Sequence, residues 1–152
     1  MKKLNTLFSF MAIVLVISAT TATAMDLGTL FQAHAQRKAY NEDVTIENID
    51  GQSHVDITTT NGSITVQGDI NGQSTVRLMA QNGTITIAGN VDGASQVVLF
   101  ADGGIVINGR VMSDGTVVRY KAPSIKIYGG TVGKATVVRI NKNTKPASTS
   151  TN

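Results

Sequence analysis

From Asn41 onward, apolar and polar residues alternate in short runs, and the runs recur. The stretch NGSITVQGDINGQSTVRLMAQNGTITIAGNVDGASQVVLFAD, residues 61–102, carries the same order of positions twice. Alternation is the spacing of a strand with one buried face. A fixed period of about twenty residues marks a solenoid, in which each repeat is one coil stacked on the last. Aligned on its Asx-Gly pairs, the chain divides into five units of 20 or 21 residues, beginning near Asn41, Asn61, Asn82, Asp102 and Ala122. The best-kept pattern is N-G-x-I-x-I-x-G-x-V-x-G.

The alternation predicts which side chains stack inward. A first strand supplies Val44, Ile64, Ile85, Ile105 and Ile125, with Ile46, Val66, Ile87, Ile107 and Ile127 beside them. A third column runs Ile49, Ile70, Val91, Val111 and closes at Val132. A second strand supplies Val55, Val76, Val97, Val118 and Val138, with Ile57, Leu78, Leu99, Tyr120 and Ile140, followed by the small residues Ala80, Ala101 and Ala122. Pairing Val97 with Val117 would turn Arg119 inward. A buried unpaired Arg costs far more than one extra loop residue, so the reading pairs Val97 with Val118 and places an insertion at Met112–Thr116. Gly62, Gly83, Gly68, Gly89, Gly109 and Gly129 fall at bends, where a positive φ is expected. Asn61 and Asn82 also open glycosylation-type triplets with Ser63 and Thr84, but their recurrence at one point of the coil reads as turn chemistry.

The expected architecture is therefore an all-β, single-stranded β-solenoid of about five turns over residues 41–141. Residues 25–40 are expected to form an N-terminal capping helix, because Leu27, Leu30, Phe31, His34 and Ala35 share a helical face and Asp26 can cap it. Residues 142–152 have no apolar period and read as a disordered tail.

The N-terminus adds an expectation of export. Lys2 and Lys3 precede a short apolar run, Leu7–Ile17, and the small-residue site Ala22-Thr23-Ala24, which together form a signal peptide over residues 1–24. Ala33-His34-Ala35 is a second possible cut. The chain has no Cys, hence neither a disulfide framework nor a lipid-attachment thiol. Periplasm, cell surface and medium are all open as destinations.

The units "TTTNGSITVQG" and "AQNGTITIAGN" resemble the repeats of the bacterial adhesin-type β-solenoid family, a group of exported or envelope proteins. The pattern loses its Asn in "ADGGIVINGRV" and "APSIKIYGG". The resemblance covers residues 41–140 and implies a β-solenoid at the cell envelope; it brings over no catalytic residue. The bactofilin solenoids are a second resemblance, and the signal peptide argues against membership.

Candidate chemistry is sparse. His34 and His54 are the only histidines, and neither sits at metal-ligand spacing, so no metal or cofactor is expected. Glu47 and Asp69 fall near the same bend on successive coils, the only carboxylates worth weighing as a glycosidase pair, and read more simply as turn residues. Thr45, Thr65 and Thr86 stack outward, but the column continues as Val106 and Lys126, which breaks an ice-binding array. The chain reads as a non-enzyme; a polysaccharide-active enzyme is a distant alternative.

Charge layout is more specific. Residues 41–102 hold eight acids and one base, Arg77, whereas residues 103–152 hold eight bases and one acid, Asp114. Lys126, Lys134, Arg139 and Lys142 are thus candidate anion-binding residues with little acid expected nearby. Met79, Val98 and Phe100 point outward on neighbouring coils, a candidate partner face or the seat of the N-terminal helix. These features point to an adhesive or ligand-binding envelope module, with an anionic envelope polysaccharide or lipid headgroup as partner. The alternative is a structural protein that self-associates head to tail. No nucleic-acid partner is expected.

Overall fold

The structure, a computed structural model, describes residues 24–33 and 36–141. The expected signal peptide, apart from Ala24, and the expected tail over 142–152 lie outside these residues, as do His34 and Lys142.

The described chain winds into a parallel β-solenoid of about six coils. Its strands are numbered in chain order and fall on three faces. Face one stacks β1 (Met25–Asp26), β4 (Val44–Ile46), β7 (Ile64–Val66), β9 (Thr84–Ile87), β11 (Gly104–Ile107) and β13 (Ile125–Ile127). Face two is short: β2 (Leu30–Phe31) pairs with β5 (Ile49–Asp50), and single bridges continue the column through Ile70, Val91, Val111 and Thr131. Face three stacks β3 (Gln36–Tyr40), β6 (His54–Thr59), β8 (Thr75–Ala80), β10 (Gln96–Ala101), β12 (Val117–Lys121) and β14 (Thr136–Arg139). Every pair is parallel, so like residues lie over like residues at the interstrand spacing of about 4.8 Å.

The interior consists of the alternating columns. Ile46, Ile64, Val66, Ile70, Leu78, Ile85, Ile87, Val91, Val97, Leu99, Ile107, Val111 and Val118 are wholly buried. Each such side chain contributes about 1.5–3 kcal/mol by leaving water. Val97 pairs with Val118 and Val98 with Arg119, and Arg119 stays exposed. The extra residue lies between the Val111 bridge and β12, where Ser113 (φ 72°) and Gly115 (φ 86°) widen the corner.

Three expectations are corrected. First, no helix covers the N-terminal end among the described residues: β1, β2 and β3 form an additional coil. Leu27 and Leu30 suit a helical face, but here they lie in the Ile46 and Ile49 columns and pack on the core. Backbone groups at the edge of the second coil thereby gain partners, such as the Asp43 carbonyl, which accepts from Met25 N–H at 2.7 Å. Second, the last coil closes one residue earlier than the alternation suggested. Thr131, not Val132, continues the Val111 column, and Val137, not Val138, continues the Val118 column. The corner there reverts to the shorter length, which leaves Val132 and Val138 exposed and sets Arg139 rather than Ile140 over Tyr120.

Third, the six glycines expected at positive φ do not have it; that conformation recurs instead at the next corner, at Gly51, Gly72 and Gly93, each followed by a second left-handed residue, Gln52, Gln73 or Ala94. Gly62, Gly83, Gly68, Gly89, Gly109 and Gly129 instead sit where successive coils touch. A Cβ at Gly83 would overlap the Gly62 carbonyl, and one at Gly109 the Gly89 carbonyl.

The interior also holds a buried polar column. Ser53, Ser74, Ser95 and Thr116 are wholly buried. Ser53 N–H donates to Ser74 Oγ at 3.2 Å, Ser74 N–H donates to Ser95 Oγ at 3.2 Å, and the Ser74 hydroxyl donates to the Asn71 carbonyl at 2.6 Å. The ladder stops at the widened corner, where Thr116 Oγ1 has no hydrogen-bond partner among the described residues. Ser74→Ala should therefore cost about 1–3 kcal/mol by orphaning the Ser53 N–H, while Thr116→Val, which removes an oxygen already unpaired, should lie near zero or stabilise. Chemical denaturation of the two variants checks this.

Candidate functional site

The outer side of face three carries two columns. One runs Asp56, Arg77, Val98, Arg119 and Val138; the other runs Thr58, Met79, Phe100 and Lys121. Met79 and Phe100 are directly paired neighbours, and Val98 lies in the adjacent column between two arginines. The Arg77 guanidinium sits over the Phe100 ring, 5.4 Å from its centroid, and holds the ring in place.

Beyond these strands the chain turns inward at Ala80, Ala101 and Ala122, then bends out again at Gln81, Asp102 and Pro123. The indentation is walled at the C-terminal end by Arg139–Asn141. Arg139 Nη2 donates to the Ala122 carbonyl at 3.1 Å, and Ile140 N–H donates to the Tyr120 carbonyl at 2.7 Å. The result is a groove of about 730 Å³ whose lining includes Met79 and Phe100, the bases Lys121 and Arg139, and the acid Asp102. It combines an apolar strip, two cations and one acid on a rigid sheet.

The candidate anion-binding residues do not converge. Lys126 projects from face one, at the end of the Thr45–Thr65–Thr86–Val106 column. Lys134 lies at the corner before β14, 3.2 Å from Asp114 Oδ2, so the acid thought remote is its partner; both side chains are largely exposed and the pair is worth little. Arg139 alone of the described three lines the groove, beside Lys121, which the sequence reading counted as a base but did not single out. Of the candidate partner face, Met79 and Phe100 line the groove and Val98 does not. The helix expected to cover them is a coil of strand instead, so among the described residues nothing from the N-terminal segment lies over them.

The sequence matches no family model and no curated protein, and the comparison with solved structures finds no match.

Other polar candidates have structural partners. Asp69 Oδ1 accepts the Asn90 N–H at 2.6 Å, within a ladder in which Asn48 Oδ1 accepts Asp69 N–H at 3.0 Å and Asn90 Oδ1 accepts Arg110 N–H at 2.9 Å. Glu47 is outside that column and accepts from the Thr29 hydroxyl at 2.8 Å. The two carboxylates thus share one corner on successive coils, but each is engaged by a structural partner of its own. His54 is exposed at the start of β6. No cluster of three His, Asp or Glu able to hold a metal occurs among the described residues.

Proposed function

We propose that the chain is an exported, non-catalytic ligand-binding module of the cell envelope, and that the face-three groove takes an anionic polysaccharide. The observation that carries this reading is the groove's composition: Met79 and Phe100 offer an apolar strip for sugar-ring faces, and Lys121 and Arg139 offer paired charge for carboxylate or sulfate groups. A groove lined by residues of four successive coils suits an extended polymer better than a compact metabolite. The N-terminal signal motif and the resemblance to adhesin-type envelope solenoids support the location. Cleavage after Ala24 is favoured over cleavage after Ala35, because the latter removes β1 and β2 and strips the edge of the second coil.

Binding of the mature protein to an acidic polysaccharide tests the reading, with anionic and zwitterionic vesicles as the lipid arm. At 0.1 M salt the polysaccharide should bind, and binding should fall as the screening length drops from about 10 Å to about 3 Å at 1 M. Lys121→Glu with Arg139→Glu should weaken it about tenfold or more, and Phe100→Ala about threefold to tenfold, with unchanged melting. Vesicle binding alone would place the ligand among lipid headgroups. No binding to either, or binding indifferent to salt and to the double variant, would contradict the proposal.

A further inference from the structure

The two ends of the rod carry matching surfaces. Among the described residues no strand pairs with the outer edges of β13 and β14, or with those of β1, β2 and β3. Such edges template further strand pairing. Apolar side chains also come to the surface at these ends. Met25 is 39% exposed and Phe31 62% at the N-terminal end, and Val132 is 46% exposed at the other. The N-terminal end holds a cavity of about 180 Å³ lined by Leu27, Leu30, Val55 and Ile57 together with Lys38, Tyr40 and His54. Burial there raises the Tyr40 phenol above its ordinary value. The C-terminal coil presents half-buried Ile125, Ile127 and Val137.

We infer that a second copy of this chain docks its first coil onto the last coil of the first, in register, continuing the solenoid head to tail. The columns support this residue by residue. Extending face one by one coil sets Met25 of the next copy over Ile125, its Asp26 over Lys126 and its Leu27 over Ile127. Extending face two sets its Leu30 over Thr131 and its Phe31 over Val132. On these two faces the exposed Met25, Phe31 and Val132 meet apolar partners, and the exposed Asp26 falls on Lys126. The wider charge layout agrees: Glu42, Asp43, Glu47 and Asp50 lie in the second coil, within a screening length of the junction, and face the basic C-terminal half. Face three is the less favourable side: Gln36 of the next copy falls over Val137, its Arg37 over Val138, and its Lys38 over Arg139. The bond from Arg139 to the Ala122 carbonyl draws its guanidinium toward the groove, away from the Lys38 column. The inference does not rest on the polysaccharide reading, although Arg139 belongs to both surfaces: it lines the groove and lies in the column that meets Lys38 of the next copy.

The test is sedimentation velocity of the mature chain, its N-terminus fixed by mass spectrometry, across concentration at 0.1 M salt. The native protein should form dimers and longer species as concentration rises. Val132→Asp, at an exposed position, should weaken association about thirtyfold or more by setting a carboxylate against the neighbour's Phe31. Lys126→Glu or Asp26→Lys alone should weaken it about threefold to tenfold, and the chain carrying both should recover, since the pair is re-formed with reversed sign. Lys38→Glu should tighten it. Circular dichroism melts confirm that each variant is folded. A native chain that stays monomeric, association untouched by Val132→Asp, or a double variant that fails to recover would overturn the head-to-tail register.

Discussion

Ile87→Asp should unfold the rod, while Thr86→Asp, one residue away, should be tolerated. Ile87 is wholly buried, between Val66 of the preceding coil and Ile107 of the following one. A carboxylate there meets apolar neighbours on both sides and has no room for water, so it costs several kcal/mol. Set against a total stability of about 5–15 kcal/mol, that is enough to lose the folded state at modest denaturant. Thr86 projects outward in the Thr65–Val106 column and is half-exposed. Its replacement forfeits a β-favouring side chain and little else. Urea titrations of both variants followed by circular dichroism make the comparison. Equal midpoints would place both positions on the same side of the sheet and contradict the register.

Gly109→Ala should be nearly as damaging, for a different reason. The coils meet at this corner with no space between backbones: the added Cβ would overlap the carbonyl of Gly89 and approach Asn90 Oδ1 at 2.7 Å. Neither neighbour can yield cheaply, since Gly89 N–H itself donates to the Gly68 carbonyl at 3.0 Å and Gly109 N–H donates to the Gly89 carbonyl at 3.1 Å. Relief requires prying two coils apart, at an expected cost of about 3 kcal/mol or more. Gly28→Ala is the control. Gly28 has φ 61° but nothing within 4 Å of a Cβ, so only its left-handed backbone resists, worth about 1–2 kcal/mol. Thermal melts should show a far larger drop for Gly109→Ala than for Gly28→Ala; similar drops would mean that backbone conformation, not coil contact, selects the glycines.

That contrast also shows what was legible in the chain. The inward columns on faces one and three could be read because their side chains alternate and recur, and the cost of burying Arg119 located the insertion before β12. The first coil could not be read in the same way. It lacks the N-G-x-I pattern that marks the coils at Asn61 and Asn82, and Leu27, Leu30 and Phe31 satisfy a helical spacing as well as the strand columns they occupy. At the other end, carrying the inserted residue forward put Val138 and Ile140 inward, whereas the final corner is of ordinary length.

The serine ladder had a visible signal, the triplets Gly51-Gln52-Ser53, Gly72-Gln73-Ser74 and Gly93-Ala94-Ser95. Each follows an Asx whose Oδ1 accepts the glycine N–H, at 2.7, 2.7 and 2.6 Å. Small polar residues ordinarily read as surface, and only a recurrent position beside a left-handed corner marks them as interior. The groove was half legible. Met79 and Phe100 stood out as outward apolar neighbours, but Arg139 reaches them through the register of the last coil, which sequence spacing alone placed one residue off.

The central claim is a parallel solenoid whose coils stack in the register that sets Val98 beside Arg119 and Leu99 beside Tyr120. Interstrand nuclear Overhauser contacts between backbone protons of the isotope-labelled protein test it most directly. The structure predicts contacts linking Thr75–Ala80, Gln96–Ala101 and Val117–Lys121 at a uniform separation of 21 residues along face three. Contacts pairing Val98 with Val118 instead, or antiparallel contacts between these strands, would contradict it.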